Sequence, residues 1–175
     1  MGLPRVVTVF GSGVVTEDDP EYQKAVTLGR MLAEAGLTIC NGGYGGIMEA
    51  SARGAKEAGG KTIGVTTAQF DGPANCWIGR EIKMERWSDR VLKLIDLGDA
   101  YVVLDGGTGT LVELFVVWEM ANKKLLSRPI IVLGRRVEAL IREIQSWPKV
   151  TSHPDMTFVK TTEDVVKRLV SYAKS

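Results

Sequence analysis

The 175 residues, 45% of them hydrophobic, are enough to bury one substantial core and are close to the size of one domain, so residues 1–175 are read as a single domain. Twenty-two basic residues against 21 acidic ones leave a net charge of +1, which gives no reason to expect a nucleic-acid polymer or a membrane surface as partner; any anion must be bound locally. Cys40 and Cys76, far apart and without histidine at ligand spacing, argue against a disulfide framework and a zinc site and fit a reducing cytoplasm, while no signal-peptide pattern and no apolar stretch of roughly 20 residues points to export or a membrane span.

In chain order, Arg5–Phe10 is a β-branched run that predicts a first strand ending at the turn Gly11-Ser12-Gly13. Apolar residues at helical spacing predict a helix over Pro20–Ala35, stopped by Gly36, before a second strand at Leu37–Cys40. The turn Gly42-Gly43-Tyr44-Gly45-Gly46 follows, then a helix over Ile47–Ala58 ended by Gly59-Gly60, and a third strand at Lys61–Thr66. The stretch from Thr67 to Arg86, with Gly72-Pro73 and Trp77, has no clear period and reads as a mobile loop or substrate cover. Beyond it come a helix at Trp87–Leu97, a strand at Ala100–Leu104, the turn Asp105-Gly106-Gly107-Thr108-Gly109-Thr110 and a helix at Thr110–Asn122. A strand at Pro129–Leu133, a helix at Val137–Trp147, a less apolar strand at Thr157–Lys160 and a helix at Thr161–Ala173 complete the series. This alternation predicts βαβ units, hence an α/β three-layer sandwich whose mostly parallel central sheet is buried between helices.

All three glycine-rich turns fall at strand C-termini, the edge of an open parallel sheet where ligands bind. There glycine lets the backbone approach a phosphate while the next helix offers its free N–H groups. For one isolated turn, tight reversal explains glycine equally well; three at one edge favour binding. The candidate phosphate or nucleotide contacts are Gly11 and Ser12, then Gly42, Gly43, Gly45 and Gly46, then Gly106, Gly107, Thr108, Gly109 and Thr110. None of the turns matches the dinucleotide fingerprint or a P-loop, so a nicotinamide dehydrogenase and a P-loop NTPase are disfavoured.

At these residues the sequence resembles the LOG (Lonely Guy) family of Rossmann-like nucleotide-binding proteins, long grouped by name with lysine decarboxylases. Val9-Phe10-Gly11-Ser12, the block from Gly42 to Ala50 followed by Gly54-Ala55, and Gly106-Gly107-Thr108-Gly109-Thr110-Leu111-Val112-Glu113 carry the resemblance, the last being similar to the family's Pro-Gly-Gly-x-Gly-Thr-x-x-Glu. The resemblance implies a Rossmann-like fold, a homodimer with sites near the interface, and hydrolysis of nucleoside 5′-monophosphates to free base and ribose 5-phosphate. It also implies catalytic roles for Glu113 and Arg90. Three departures stand out: Asp105 replaces the family's proline, the Met-His-x-Arg-Lys block survives only as Arg90, and the second glycine block is one residue shorter than in the plant-type enzymes. Asp105 and the reduced arginine block favour an alternative, a noncatalytic nucleotide or molybdenum-cofactor carrier. No pyridoxal-phosphate lysine constellation is visible, so no cofactor is expected and lysine decarboxylation is disfavoured.

A carboxylate at Glu113 could stabilise the positive charge that builds on ribose as the glycosidic bond breaks. Equally, Thr110-x-x-Glu113 has the spacing of a capping box. Arg90 could hold the phosphate or the departing base, or be a solvated helix arginine with Arg80 or Arg86 in its place. Asp105 could cap its own turn, Tyr44 could stack on a base or pack, and Glu49 could bind ribose or complement its helix dipole. His153 reads as a loop residue, and Trp118 and Met120 as core or dimer contacts.

Overall fold

A computed structural model describes residues 5–151 and 155–172, so His153 and the end of the last expected helix lie outside the described residues. The strands are β1 (Val6–Phe10), β2 (Thr38–Asn41), β3 (Thr62–Thr67), β4 (Arg80–Met84), β5 (Ala100–Val103), β6 (Ile130–Val132) and β7 (Met156–Phe158). The helices are α1 (Pro20–Glu34), α2 (Ile47–Glu57), α3 (Trp87–Leu97), α4 (Thr108–Asn122), α5 (Arg135–Gln145) and α6 (Thr162–Tyr172).

The strands form one sheet in the order β4-β3-β2-β1-β5-β6-β7, and every pairing is parallel. β1 is flanked by β2 on one side and β5 on the other, with Val7 opposite both Ile39 and Ala100. The chain therefore reverses its direction of travel at β1, and the helices that follow β1 and β5 lie on opposite faces of the sheet.

Helices cover both faces, which is why the inner strands are apolar without alternation. On one face α1, α2 and α6 bury Tyr22, Leu28, Ile47 and Leu169 against Val7, Ile39 and Val102. On the other, α3, α4 and α5 bury Leu94, Leu114, Trp118 and Ile141 against Phe10, Val65 and Tyr101. Gly29 and Gly54 let α1 and α2 touch, since a Cβ at either would lie 2.0 Å from the Ser51 oxygen or 1.9 Å from the Val26 oxygen.

Three expectations need correction. The stretch from Thr67 to Arg86 contains β4, an edge strand whose charged Arg80, Glu81 and Lys83 hide it from an apolar-run reading but suit an unpaired sheet edge. Its preceding loop is anchored: the Asn75 amide and Nδ2 donate to the Gly43 oxygen at 2.8 and 3.1 Å, and Thr62 Oγ1 ties Trp77 and Gly79. Helices α4 and α5 each begin two residues earlier than their apolar periodicity suggests.

Arg128 closes the far end of α3. Its Nη1 donates to the Ile95, Asp96 and Gly98 carbonyl oxygens at 3.0, 3.1 and 2.6 Å, meeting acceptors that a helix C-terminus leaves open. Arg128→Ala should cost about 2 kcal/mol, read as a lower urea midpoint with an unchanged slope.

No helix among the described residues is long and apolar enough to cross a membrane, and no cluster of three or more His, Cys, Asp or Glu side chains among them could hold a metal ion.

Candidate functional site

The turn after β1 is pinned between the other two glycine turns. Ser12 N donates to the Asp105 oxygen at 3.0 Å, and the Ser12 oxygen accepts from Ile47 N, at the start of α2, at 2.8 Å. Such close approach demands glycine: Gly46 has φ +66, and a Cβ there would sit 2.3 Å from the Ser12 oxygen. A Cβ on Gly106 would meet Thr110 Oγ1 at 2.2 Å.

Beside these turns lies a cavity of about 310 Å³. Of the residues singled out from sequence, Gly11, Ser12, Gly42, Tyr44, Arg90, Gly107, Thr108, Gly109, Thr110 and Glu113 line it. Gly43, Gly45, Gly46 and Gly106 do not; they hold the turns together around it, Gly43 with φ +78 and its oxygen on Asn75. Met48, Phe70 and Trp87 also line the cavity. Their apolar character resembles ordinary core, and Phe70 comes from the loop before β4, so no local pattern marks them.

Arg90 is the organising side chain. It is only 5% exposed, although it lies in the first turn of a helix, where arginine is normally held in solvent. Its Nε donates to the Val65 oxygen at 2.7 Å and its Nη2 to the Gly42 oxygen at 3.1 Å, leaving Nη1 turned toward Glu113 Oε1 at 3.9 Å. Tyr44 and Phe70 present their rings to the guanidinium at 5.4 and 5.8 Å. Gly42 makes this possible, because a Cβ there would lie 1.9 Å from Arg90 Nη2. Arg80 and Arg86 do not line the cavity, and Arg86 pairs with Asp89 instead.

Glu113 stands in the second turn of α4, with its side chain 13% exposed. The capping-box reading fails because α4 starts at Thr108 with Gly107 as its N-cap, which puts Thr110 inside the first turn. At 3.9 Å its approach to Arg90 is an ion pair rather than a hydrogen bond. Burial pushes the Glu113 carboxyl up to about 7, with Arg90 pulling the other way. Burial likewise holds Arg90 below its ordinary value, so the mutual attraction does not offset desolvation of the pair. Near neutrality Glu113 can therefore gain or lose a proton while Arg90 keeps its charge.

The start of α4 carries no side-chain cap, so the first-turn N–H groups of Thr108, Gly109 and Thr110 have no intrahelical acceptor, and all three residues line the cavity. Cys40, in the core on the α3 side of the sheet, is pushed up to about 12 by burial and is a neutral core thiol rather than a nucleophile. Glu49 sits in the first turn of α2 and does not line the cavity. Trp118 packs in the core, its Nε1 donating to the Thr151 oxygen at 3.0 Å.

Asp105 also departs from expectation. Its carboxylate does not cap its own turn: Oδ1 accepts from Arg136 N at 2.9 Å and Val137 N at 3.0 Å, capping α5 from a distant strand end. It does not line the Glu113 cavity. Asp105→Ala should cost about 1 kcal/mol in urea unfolding and Asp105→Asn distinctly less, since asparagine is also a good cap.

Known proteins resemble this chain in sequence and in fold. An uncharacterized protein of Archaeoglobus fulgidus is 31% identical over 132 residues, spanning 75% of this chain and 85% of that one. A cytokinin riboside 5′-monophosphate phosphoribohydrolase of Rhodococcoides fascians is 29% identical over 135 residues, spanning 75% and 68%. Among solved structures, the molybdenum cofactor binding protein of Rippkaea orientalis superposes with a TM-score of 0.78 over 95% of this chain and 96% of that one at 22% identity, a likeness of fold. The family model described as the SLOG cluster4 family matches residues 4–164. With that match spanning most of the chain and its Rossmann-like sheet carrying the glycine turns, the protein belongs to the SLOG cluster4 family.

Proposed function

We propose that this protein hydrolyses the N-glycosidic bond of a nucleoside 5′-monophosphate, giving free base and ribose 5-phosphate. The observation that carries the reading is the buried Glu113–Arg90 pair, 3.9 Å apart, next to the uncapped start of α4. In this reading the phosphate takes the N–H groups and hydroxyls of Thr108–Thr110, and the base stacks among Tyr44, Phe70 and Trp87. Ionised Glu113 stabilises the oxocarbenium-like ribose and takes a proton from the attacking water, so that a C1′–O bond forms as the C1′–N bond breaks. The base departs with its developing negative charge facing the Arg90 side of the cavity, and the proton that Glu113 took from the water is passed on to it, so that one water molecule is divided between the two products. Only water is consumed, so no cofactor is invoked. The name of the Rhodococcoides relative supports this class of substrate. Among the described residues no lysine lines the cavity, which leaves pyridoxal chemistry without an anchor there.

The test is incubation with a panel of purine and pyrimidine monophosphates, with chromatography for free base. Release of base from at least one is the expected result. Binding without release would mark a carrier and overturn the hydrolytic reading.

The reading extends to a homodimer in the cytoplasm acting on a small ligand rather than a nucleic-acid polymer. It is supported by a net charge of +1, by free Cys40 and Cys76, and by apolar surface on α3 and α4, where Leu92 is 54% and Phe115 36% exposed.

A further inference from the structure

The Gly42 carbonyl that receives Arg90 Nη2 belongs to a peptide held at both ends. The opposite end of that peptide is the Gly43 N–H, which donates to Asn41 Oδ1 at 2.9 Å. Because the peptide is planar and trans, its N–H and C=O point in opposite directions, so fixing one aims the other. Asn41 thereby directs the Gly42 oxygen to the guanidinium, 3.1 Å away.

Asn41 ends β2 and is fully buried, in a position where an apolar residue would carry no desolvation cost. Its amide is locked in one orientation. Nδ2 donates to the Met48 oxygen at 2.7 Å and to Ser51 Oγ at 3.2 Å, both in α2, which leaves Oδ1 as the end facing Gly43. The peptide it holds lies between two glycines and would otherwise rotate with little steric resistance. Half a turn would carry Gly43 from φ +78 to a negative φ, where glycine is equally at ease, and would swing the Gly42 oxygen away from Arg90. Arg90 would then keep only its Val65 anchor, and its Nη1 would lose its set place beside Glu113.

We propose that Asn41 is a positioning residue for hydrolysis, holding the Gly42–Gly43 peptide in the one orientation that seats Arg90 beside Glu113. This rests on the reading of the Glu113 cavity as a hydrolytic site and adds to it a side chain that does not line the cavity. A role confined to closing the turn would lower stability and leave turnover by the folded protein unchanged; a positioning role lowers kcat as well.

The experiment compares Asn41→Thr with Asn41→Val, side chains of the same shape of which only threonine offers the Gly43 N–H an acceptor. Both lose the bonds to Met48 and Ser51. Asn41→Val should lower kcat about a hundredfold with KM changed by less than about threefold, and Asn41→Thr should stay within about tenfold of the unaltered kcat. Ser51→Ala, which removes one partner of the Asn41 amide and leaves the bond to Gly43, should keep kcat within about twofold even where it lowers the urea midpoint. NMR of isotope-labelled arginine side chains reads the same event without substrate. The Arg90 signals, assigned by their loss in Arg90→Lys, should show separate Nη resonances in the unaltered protein and in Asn41→Thr, and one averaged resonance in Asn41→Val. Equal kcat in the threonine and valine variants, a loss in Ser51→Ala as large as about a hundredfold, or unchanged Arg90 signals in Asn41→Val would each overturn the positioning role alone. Absence of base release by the unaltered protein would overturn the hydrolytic reading beneath it, and the NMR comparison would still decide whether Asn41 seats Arg90.

Discussion

Glu113→Gln should reduce base release by about a thousandfold, within the range for removing a catalytic acid–base group, while making the protein more stable at pH 8. The two effects share one cause. Burial raises the folded-state value of Glu113 to about 7 from the ordinary 4.5, so the folded protein holds this proton more tightly than the unfolded chain does. A raised carboxyl favours folding while it is protonated and loses that advantage as pH rises from about 4.5 through about 7. Integrated over that window, the loss amounts to about 3 kcal/mol at most. Glutamine keeps the shape and has no charge to desolvate. The stability difference, variant minus unaltered protein, should therefore widen between pH 4.5 and 8 in urea titrations and then level off. Turnover should run in the opposite sense, kcat/KM rising with pH to a plateau above about 7 as the carboxylate forms. A buried acid that is least stable in the form needed for chemistry is the usual arrangement of a working site.

Arg90→Ala should be among the most damaging single changes, costing about 3–5 kcal/mol of stability together with activity. It would strip the donors from the Val65 and Gly42 oxygens and leave Glu113 without its compensating charge. Because that loss could compromise folding, Arg90→Lys is the more informative variant. Lysine retains a charge but cannot bridge both carbonyl oxygens and still present a nitrogen to Glu113. It should fold with an intermediate urea midpoint and lose most base release. The pH at which its residual kcat/KM reaches half its plateau should move upward, because Arg90 is the group that pulls Glu113 down.

Much of this site was legible before the fold was known, for a physical reason. Parallel strands buried on both faces appear as apolar runs, and every glycine turn after such a run must lie on the sheet's ligand edge. What sequence could not separate was glycine that admits a ligand from glycine that admits another piece of the chain. Gly107 and Gly109 line the cavity, whereas Gly46 and Gly106 exist for contact with Ser12 and Thr110. Both uses require a missing Cβ.

The errors also share a source. The starts of α4 and α5 and the role of Asp105 depend on hydrogen bonds between residues distant in sequence, such as Asp105 Oδ1 to Arg136 N at 2.9 Å. Local spacing suggested a capping box at Thr110 and Glu113, but the backbone begins its helix at Thr108, which frees Glu113 to face Arg90. Asp105, which on sequence argued against retained activity, is turned away from the Glu113 cavity to serve α5. The burial of Arg90 had no sequence signal beyond family resemblance, because it depends on carbonyl oxygens from β3 and the second glycine turn.

The most direct measurement is a time course with one nucleoside 5′-monophosphate at a time, quantifying free base and ribose 5-phosphate together, with Glu113→Gln protein run in parallel. Equimolar appearance of the two products with the unaltered protein, and only background with the variant, is the expected result. No product from any monophosphate, or equal rates for the two proteins, would contradict a glycosidase centred on Glu113.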